Sequence, residues 1–279
     1  MFRVLQWVML LGLFLVGCQQ EIPVGGTPRP KSYKTAVSLS PGTSEIMSSY
    51  IFDAQLIGRT SACNSPGMAG VPIMGDVKPN YEKIAKAKPD IIVYDPKLYN
   101  ANDIEKIKSL KIDTFEVTGD TIDSFIDSIR KLATKVGSET KINDYVERIL
   151  AARAANLGEN SAKRKIIILM GGNGEYMAAG EGSIQADIIR GCGYEPVGPS
   201  GNKFSVINAE SLIRWNPDVI MVAGDVSQVS KDSRLQSLPA VKGGRVMRVD
   251  PDAILRSGTR IDQLLSNLRP AVEGLFKEI

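Results

Sequence analysis

The sequence predicts an α/β protein of two lobes, each built on a parallel central sheet, with one long helix bridging them. Short runs that are apolar throughout, such as "PDIIVYD" and "PDVIMVAG", alternate with helical patterns, which is typical of parallel strands covered on both faces. This alternation occurs in two sets. Between the sets, a segment keeps the helical spacing of apolar residues without Gly or Pro and predicts the bridging helix.

The first set predicts a lobe over residues 33–137. It begins with the strand "TAVSLS" and the turn Pro41–Ser44, and the apolar positions of "SEIMSSYIFDAQLIG" then predict a helix. The elements that follow are "VPIMG", the helix "NYEKIAKAK", the strand "PDIIVYD", the helix "NANDIEKIKSL" and the strand "IDTFEV".

A connecting helix is predicted within residues 138–160, after a break at Gly137, and a second lobe over 161–279. The bridging helix should run from about Ser138 to Leu157, over which apolar residues recur at helical spacing. The second lobe should contain the strand "RKIIILMGG", the helices "SIQADIIRGCG" and "NAESLIRW", the strands "PDVIMVAG" and "GGRVMRVD", and a closing helix from Ile261 to Phe276.

The first residues predict export and a lipid anchor. Residues 1–17 carry one basic residue and an apolar run too short to span a bilayer, as in a signal peptide. The run ends on Leu15-Val16-Gly17-Cys18, which resembles the bacterial lipobox, so Cys18 is the predicted lipidation site; the alternative is a plain signal peptide with an incidental Cys. Residues 18–32, rich in Pro, Gly and polar residues, read as a tether. The folded protein should therefore be extracytoplasmic and membrane-anchored.

Composition excludes several classes of function. The formal net charge is +3, and no Lys/Arg cluster with interleaved aromatics appears, so no nucleic-acid partner is expected. The chain of 279 residues has no His, which excludes Ser-His and Cys-His catalytic pairs and imidazole metal sites, and we predict neither catalytic residues nor a metal site. Cys63 and Cys192 are expected to be small buried residues rather than a disulfide.

One sequence motif occurs twice in the chain, as "NYEKIAKAKPDIIV" and as "NAESLIRWNPDVIM". In each copy an Asn, Asn80 or Asn208, is placed to cap a helix, and a Pro marks its end. The first turn carries Glu82 or Glu210. A carboxylate there gains about 0.3–1 kcal/mol from the helix dipole, which explains either copy alone. The matched pair instead predicts two similar acidic positions, one in each lobe, that meet a partner with two similar halves.

These repeats, together with "VSLSPGTSEI" and "MAAGEGSIQADIIRGCGY", resemble the helical-backbone substrate-binding proteins of ABC importers for cobalamin, haem and iron-siderophores, and most of all the cobalamin-binding branch. The resemblance runs from about Thr35 to the C-terminus. It implies a monomer that binds a small-molecule metal chelate, needs no cofactor, and delivers its ligand to a permease and ATPase complex. It also implies that Glu82 and Glu210 dock the permease.

The same resemblance implies a ligand site. Tyr176 and Phe204 fall where the family has ligand-facing aromatics, although core packing explains them too. In "DPDAILRSGTR", Asp252 and Arg256 match the cobalamin-binding pattern in spacing; a solvated loop is the alternative for these charges. In the first lobe Ala62 stands where that branch has an aromatic residue.

The predicted function is therefore a lipid-anchored receptor that traps cobalamin or a related corrinoid between its lobes. One alternative within the class is a ferric siderophore or haem protein, with haem disfavoured because no His is present as an axial ligand. The alternative from another class is an exported α/β enzyme, for which the sequence shows no nucleophile and base.

Overall fold

Helices and strands alternate along the chain in the computed structural model, which describes residues 32–51, 55–76, 78–156, 163–171 and 175–277. The predictions for the signal peptide, Cys18 and nearly all of the tether lie outside these residues.

The strands are β1 Thr35–Ser38, β2 Gln55–Arg59, β3 Ile91–Tyr94, β4 Asp113–Glu116, β5 Lys165–Met170, β6 Tyr176–Ala178, β7 Glu195–Pro196, β8 Ser205–Ile207, β9 Val219–Val222 and β10 Val246–Arg248. The helices are α1 Pro41–Ile46, α2 Tyr81–Ala87, α3 Ala101–Ser109, α4 Ile122–Val136, α5 Glu139–Ala155, α6 Ile184–Gly191, α7 Ala209–Trp215, α8 Ser227–Ser230, α9 Pro239–Lys242, α10 Pro251–Ile254 and α11 Ile261–Gly274.

The first sheet has the order β2-β1-β3-β4, and all its strands are parallel. Each residue of β3 is buried, as expected for a strand covered on both faces. One prediction is wrong here, because the helix expected to reach Gly58 ends earlier and the segment "QLIGR" forms β2. A short apolar run fits helix and strand equally well by its period, and pairing with β1 decides for the strand.

The second sheet is mixed. Strands β10, β9, β5 and β7 pair in parallel, whereas β6 and β8 run antiparallel to their neighbours. Strand β5 ends at Met170 and β6 begins at Tyr176, a separation too short for the crossover that parallel neighbours require. The prediction of parallel central sheets is therefore confirmed for the centre of this sheet but not for its edge.

Each lobe has a hydrophobic core of its own, and the two lobes also share a further hydrophobic core. The helix α5 lies between them and packs against α4 and α11. The shared core contains Ile129 of α4, Tyr145 of α5, Ile188 of α6 and Leu265 of α11, all buried. Each such aliphatic side chain stabilises the fold by about 1.5–3 kcal/mol relative to an exposed one. The bridge between the lobes is thus a packed helical layer, which restricts their relative movement.

Two further features of the described residues bear on function. No helix among them combines the length and the apolar composition needed to cross a bilayer. Cys63 and Cys192 are both buried free thiols, as the sequence predicts, and burial raises the pKa of Cys192 to about 12.

Candidate functional site

A cavity of about 290 Å³ lies between the two lobes. In the first lobe it is lined by residues that follow the carboxyl ends of β1, β3 and β4, and in the second lobe by residues that follow β10. This is the edge of an α/β sheet at which ligands usually bind. The lining residues are Ser40, Pro41, Gly42, Thr43, Ala62, Asp95, Leu98, Val117, Thr118, Gly119, Phe125, Pro251, Asp252, Leu255, Arg256 and Ser257.

Arg256 is the cation of this lining, and protein side chains hold it on three sides. Its Nη1 lies 3.1 Å from Glu45 Oε1, and its Nη2 lies 2.8 Å from Asn64 Oδ1 and 2.6 Å from Asp252 Oδ1. Glu45 and Asn64 belong to the first lobe, so Arg256 links the lobes. Its Nε–H and one Nη1–H have no protein partner among the described residues and remain able to donate to a ligand.

Glu45 is the centre of this ionic cluster. Its side chain is 5% exposed, and Oε1 also accepts from Arg260 Nη2 at 2.9 Å. Its Oε2 accepts from Thr259 Oγ1 at 3.3 Å. A buried carboxylate is tolerable only when it is paired and hydrogen-bonded in this way. Glu45 itself does not line the cavity.

The backbones of the two lobes meet beside the cluster. A Cβ atom placed on Gly42 would collide with the carbonyl oxygen of Ser257, and one placed on Gly258 would lie 2.5 Å from Glu45 Oε2. Tyr145 of α5 donates its hydroxyl to the Gly258 carbonyl at 2.6 Å. Glycine is therefore required at both positions for the lobes to approach this closely.

A separate polar contact also joins the two lobes. Asn202 of the second lobe donates to Asp120 Oδ2 of the first lobe at 3.0 Å, and Asp120 also pairs with Lys97. Nearby, Asp95 lines the cavity and accepts from the Lys97 backbone N–H, and burial raises the pKa of its carboxyl. The two lobes are thus bridged by polar contacts at two separate places in this conformation.

The predicted aromatic residues lie off the cavity lining. Tyr176 is fully buried in the core of the second lobe, where its hydroxyl donates to Asp232 at 2.6 Å. Burial, with help from this hydrogen bond, raises the pKa of Tyr176 to about 12. A ligand could contact its ring only if Tyr176 left this core. Phe204 is half-buried and packs against the shared core, two residues after Asn202. Of the predicted ligand residues, the structure brings Asp252 and Arg256 together.

The repeated unit has the same local geometry in both lobes. Asn80 caps α2 by accepting from the Lys83 N–H, and Asn208 caps α7 by accepting from the Ser211 N–H, each at 2.9 Å. Both helices end in a left-handed residue just before the Pro. In the described residues the carboxylates of Glu82 and Glu210, both exposed, have no ion-pair partner.

The recurring Pro-Asp has a structural role. Asp90 accepts from the backbone N–H groups of Lys34 and Thr35 at the start of β1, at 2.8 and 2.9 Å. Asp218 accepts from the Lys165 N–H at the start of β5, at 2.7 Å. In each lobe the Asp fastens the strand after the helix to its neighbour. The repeat therefore combines a structural Pro-Asp with an exposed first-turn Glu that makes no ion pair within the described residues.

Sequence reasoning missed Glu45, Asn64 and Phe125. Glu45 stands in "VSLSPGTSEI", and its only signal is an acidic residue in a short helix that otherwise carries no charge. Phe125 is fully buried on α4 and is among the residues that line the cavity from the first lobe. Nothing in the sequence alone marks Asn64. Among the described residues no group of His, Cys, Asp and Glu side chains is arranged to hold a metal ion.

The family profile described as periplasmic binding protein matches residues 37–253, which include both sheets. The chain belongs to the periplasmic binding protein family. Its relatives include an ABC transporter substrate-binding lipoprotein of Bacillus subtilis, 24% identical over 89% of this chain and 83% of that protein. A vitamin B12-binding protein of Salmonella choleraesuis is 27% identical over 54% of this chain, and the match spans 58% of that protein.

Solved structures of this periplasmic binding protein family share the fold. The vitamin B12-binding protein of Vibrio cholerae superposes with a TM-score of 0.76 at 18% identity, over 88% of this chain and 99% of that one. A periplasmic binding protein of Veillonella parvula gives a TM-score of 0.76 at 22% identity, over 88% of this chain and 92% of that one. The predicted two-lobed α/β fold is confirmed.

The family comprises solute-binding proteins of ABC transporters, which bind small molecules and work with a permease and an ATPase. This periplasmic binding protein is therefore a substrate-binding protein of an ABC importer. The prediction that the chain is not an enzyme is confirmed by the family, and the alternative of an exported enzyme is wrong.

Proposed function

We propose that this protein captures a metal chelate in the cleft between its lobes, with cobalamin or a related corrinoid as the first candidate. The observation that carries the proposal is the interlobe cavity, lined by both lobes at the carboxyl ends of their strands, with Arg256 donors available to a ligand. The vitamin B12-binding proteins of Salmonella choleraesuis and Vibrio cholerae support the corrinoid.

The size of the cavity defines what corrinoid binding requires. A volume of about 290 Å³ is at the lower end of the ~300–1,000 Å³ that drug-sized ligands occupy. A corrinoid is larger than such ligands, so the lobes must separate to admit it. The contacts that oppose this separation include the polar bridges between Arg256 and Asn64 and between Asp120 and Asn202, together with the pairs that Glu45 makes with Arg256 and Arg260.

The same size favours a second candidate, a compact ferric chelate such as ferric citrate. Such a ligand needs less opening, and a cation is the natural partner of its carboxylates. The Fe(3+)-citrate-binding protein of Bacillus subtilis is 23% identical over 64% of this chain and 59% of its own length. Haem is less well supported, because the chain has no His and none of the lining residues is a Tyr.

Visible absorption tests the ligand class, because corrinoids and ferric chelates are coloured. The purified protein is incubated with excess cyanocobalamin or with ferric citrate and then passed through a gel-filtration column. We expect one of the two absorption spectra to elute with the protein. A protein that elutes colourless from both incubations, and that was colourless as purified, contradicts the proposal.

We further propose that Glu82 and Glu210 are the two contacts to the permease. Both carboxylates are exposed at the first turn of matched helices and lack partners in the described residues. Three exposed large apolar side chains flank the same helices, namely Ile73 before α2, Val206 before α7 and Ile213 within α7. Exposed apolar groups beside unpaired charges are typical of a protein-binding surface.

We also propose that Cys18 carries a lipid that holds the protein at the extracytoplasmic face of a membrane. Two relatives from Bacillus subtilis, 24% and 29% identical, are named substrate-binding lipoproteins. The lipobox and the polar stretch after it supply the attachment site and the tether.

A further inference from the structure

We infer that Glu45 is a positioning residue for ligand binding. It stands outside the cavity and acts by holding the guanidinium of Arg256 in the orientation that presents its free donors to the ligand. This inference rests on the proposed function, since it names how one side chain of the cleft is prepared for its ligand.

Glu45 can fix the orientation of Arg256 because it is buried. Its side chain is 5% exposed, whereas that of Arg256 is 14% exposed. A charge-assisted hydrogen bond shielded from water is stronger than one in solvent, and it fixes geometry because few alternative partners are available. The other acidic partner of Arg256, Asp252, is 44% exposed and is a weaker constraint. Asn64 at 2.8 Å and Asp252 at 2.6 Å also hold the guanidinium, but Glu45 is the acidic partner most shielded from water and therefore the strongest constraint on its position.

The contact between Glu45 and Arg256 joins the two lobes. Glu45 is part of α1 in the first lobe, and Arg256 follows α10 in the second. Arg260, also from the second lobe, forms an ion pair with the same Oε1, so its positive charge also offsets the negative charge of Glu45. Arg256, which lines the cavity, is therefore held in this orientation only when the second lobe is docked against α1. Ligand affinity is in this way coupled to the packing between the lobes.

The chain offers two independent ways to disturb this contact. Glu45→Gln removes the charge and keeps the shape. Gly258→Ala removes no charged group, but its new Cβ would lie 2.5 Å from Glu45 Oε2 and 3.3 Å from the Cα of Gly42, so it would displace the carboxylate and also press on the contact between the lobes. Gly258 has no positive φ that would oppose an Ala. If one variant does not fold, the other still tests the inference, and circular dichroism with thermal unfolding establishes which variants are folded.

A double-mutant cycle measures whether Glu45 acts through Arg256. Calorimetric titrations with cyanocobalamin and with ferric citrate are made on the wild type, Glu45→Gln, Gly258→Ala, Arg256→Ala and the double variant Glu45→Gln with Arg256→Ala. We expect each single variant to weaken binding about tenfold to a hundredfold. In the Arg256→Ala background we expect Glu45→Gln to change affinity less than about threefold, since coupled residues are not additive. Equal losses in both backgrounds, or a folded Glu45→Gln with wild-type affinity, overturn the inference.

A second readout needs no ligand. Phenylglyoxal modifies accessible guanidinium groups, and mass spectrometry gives the rate at each Arg. We expect modification of Arg256 to accelerate severalfold in Glu45→Gln and Gly258→Ala, while the exposed Arg214 on α7 reacts at its wild-type rate. Unchanged reactivity of Arg256 in the folded variants overturns the inference. If the wild type binds neither chelate, the proposed ligand class fails, and the labelling alone decides whether Glu45 positions Arg256.

Discussion

Reversal of both exposed acidic charges, Glu82→Lys with Glu210→Lys, is expected to abolish uptake of the ligand by cells while the isolated protein binds it normally. Exposed ion pairs contribute only about 0–1 kcal/mol each, so Glu82→Ala or Glu210→Ala alone should weaken docking modestly. A surface that is complementary to two carboxylates is basic, so two Lys residues at these positions would instead add repulsion in both halves of the interface. Uptake of labelled cyanocobalamin or labelled ferric citrate by cells, compared with calorimetry on the purified variant, measures the two effects.

A matched control separates docking from net charge. Glu105 on α3 and Glu147 on α5 are also exposed helical residues, and Glu105→Lys with Glu147→Lys changes the net charge by the same amount. This control should transport normally. Normal uptake by the Glu82/Glu210 variant, or loss of ligand binding in the isolated protein, would show that these residues are not docking contacts.

Replacement of the predicted lipidation site, Cys18→Ala, should release the protein from the membrane. Each buried CH₂ of a lipid chain contributes about 0.8 kcal/mol, and stable anchoring needs two chains, which a diacylated Cys supplies. Loss of Cys18 therefore removes the whole anchor. Ligand affinity should stay unchanged. Fractionation of cells, followed by mass spectrometry of the N-terminal peptide, measures processing and release. A processed Cys18→Ala protein that stays membrane-bound through salt washing would refute the lipid anchor.

The architecture and the two matched helices can be predicted well from sequence patterns that involve only neighbouring residues. Caps such as Asn80 and Asn208, and the stops before Pro89 and Pro217, depend on residues within one helical turn, so the sequence reveals them. The Pro-Asp pair is visible in the repeat, but its role is not, because Asp90 and Asp218 each bind a strand that is distant in the chain. Contacts of that kind depend on the tertiary fold.

The candidate site is less predictable from the sequence, for the same reason. Asp252 and Arg256 lie after a strand end, and this position, together with their match to the cobalamin-binding pattern in spacing, marks them as ligand candidates. Glu45, by contrast, pairs with a residue 211 positions away. Tyr176 is buried in the core, where Asp232 satisfies its hydroxyl, and the sequence does not reveal this distant partner.

Titration of the purified protein is the measurement that tests capture of a chelate in this cleft most directly. Calorimetry with cyanocobalamin, cobinamide and ferric citrate on the wild type and on Arg256→Ala compares the candidates under one set of conditions. We expect the wild type to bind at least one of them at a ratio of one per chain. We expect Arg256→Ala to bind it about tenfold to a hundredfold more weakly, because a charge-assisted hydrogen bond to the ligand is lost. A wild type that binds none of the three, or an Arg256→Ala protein with unchanged affinity, would contradict the account.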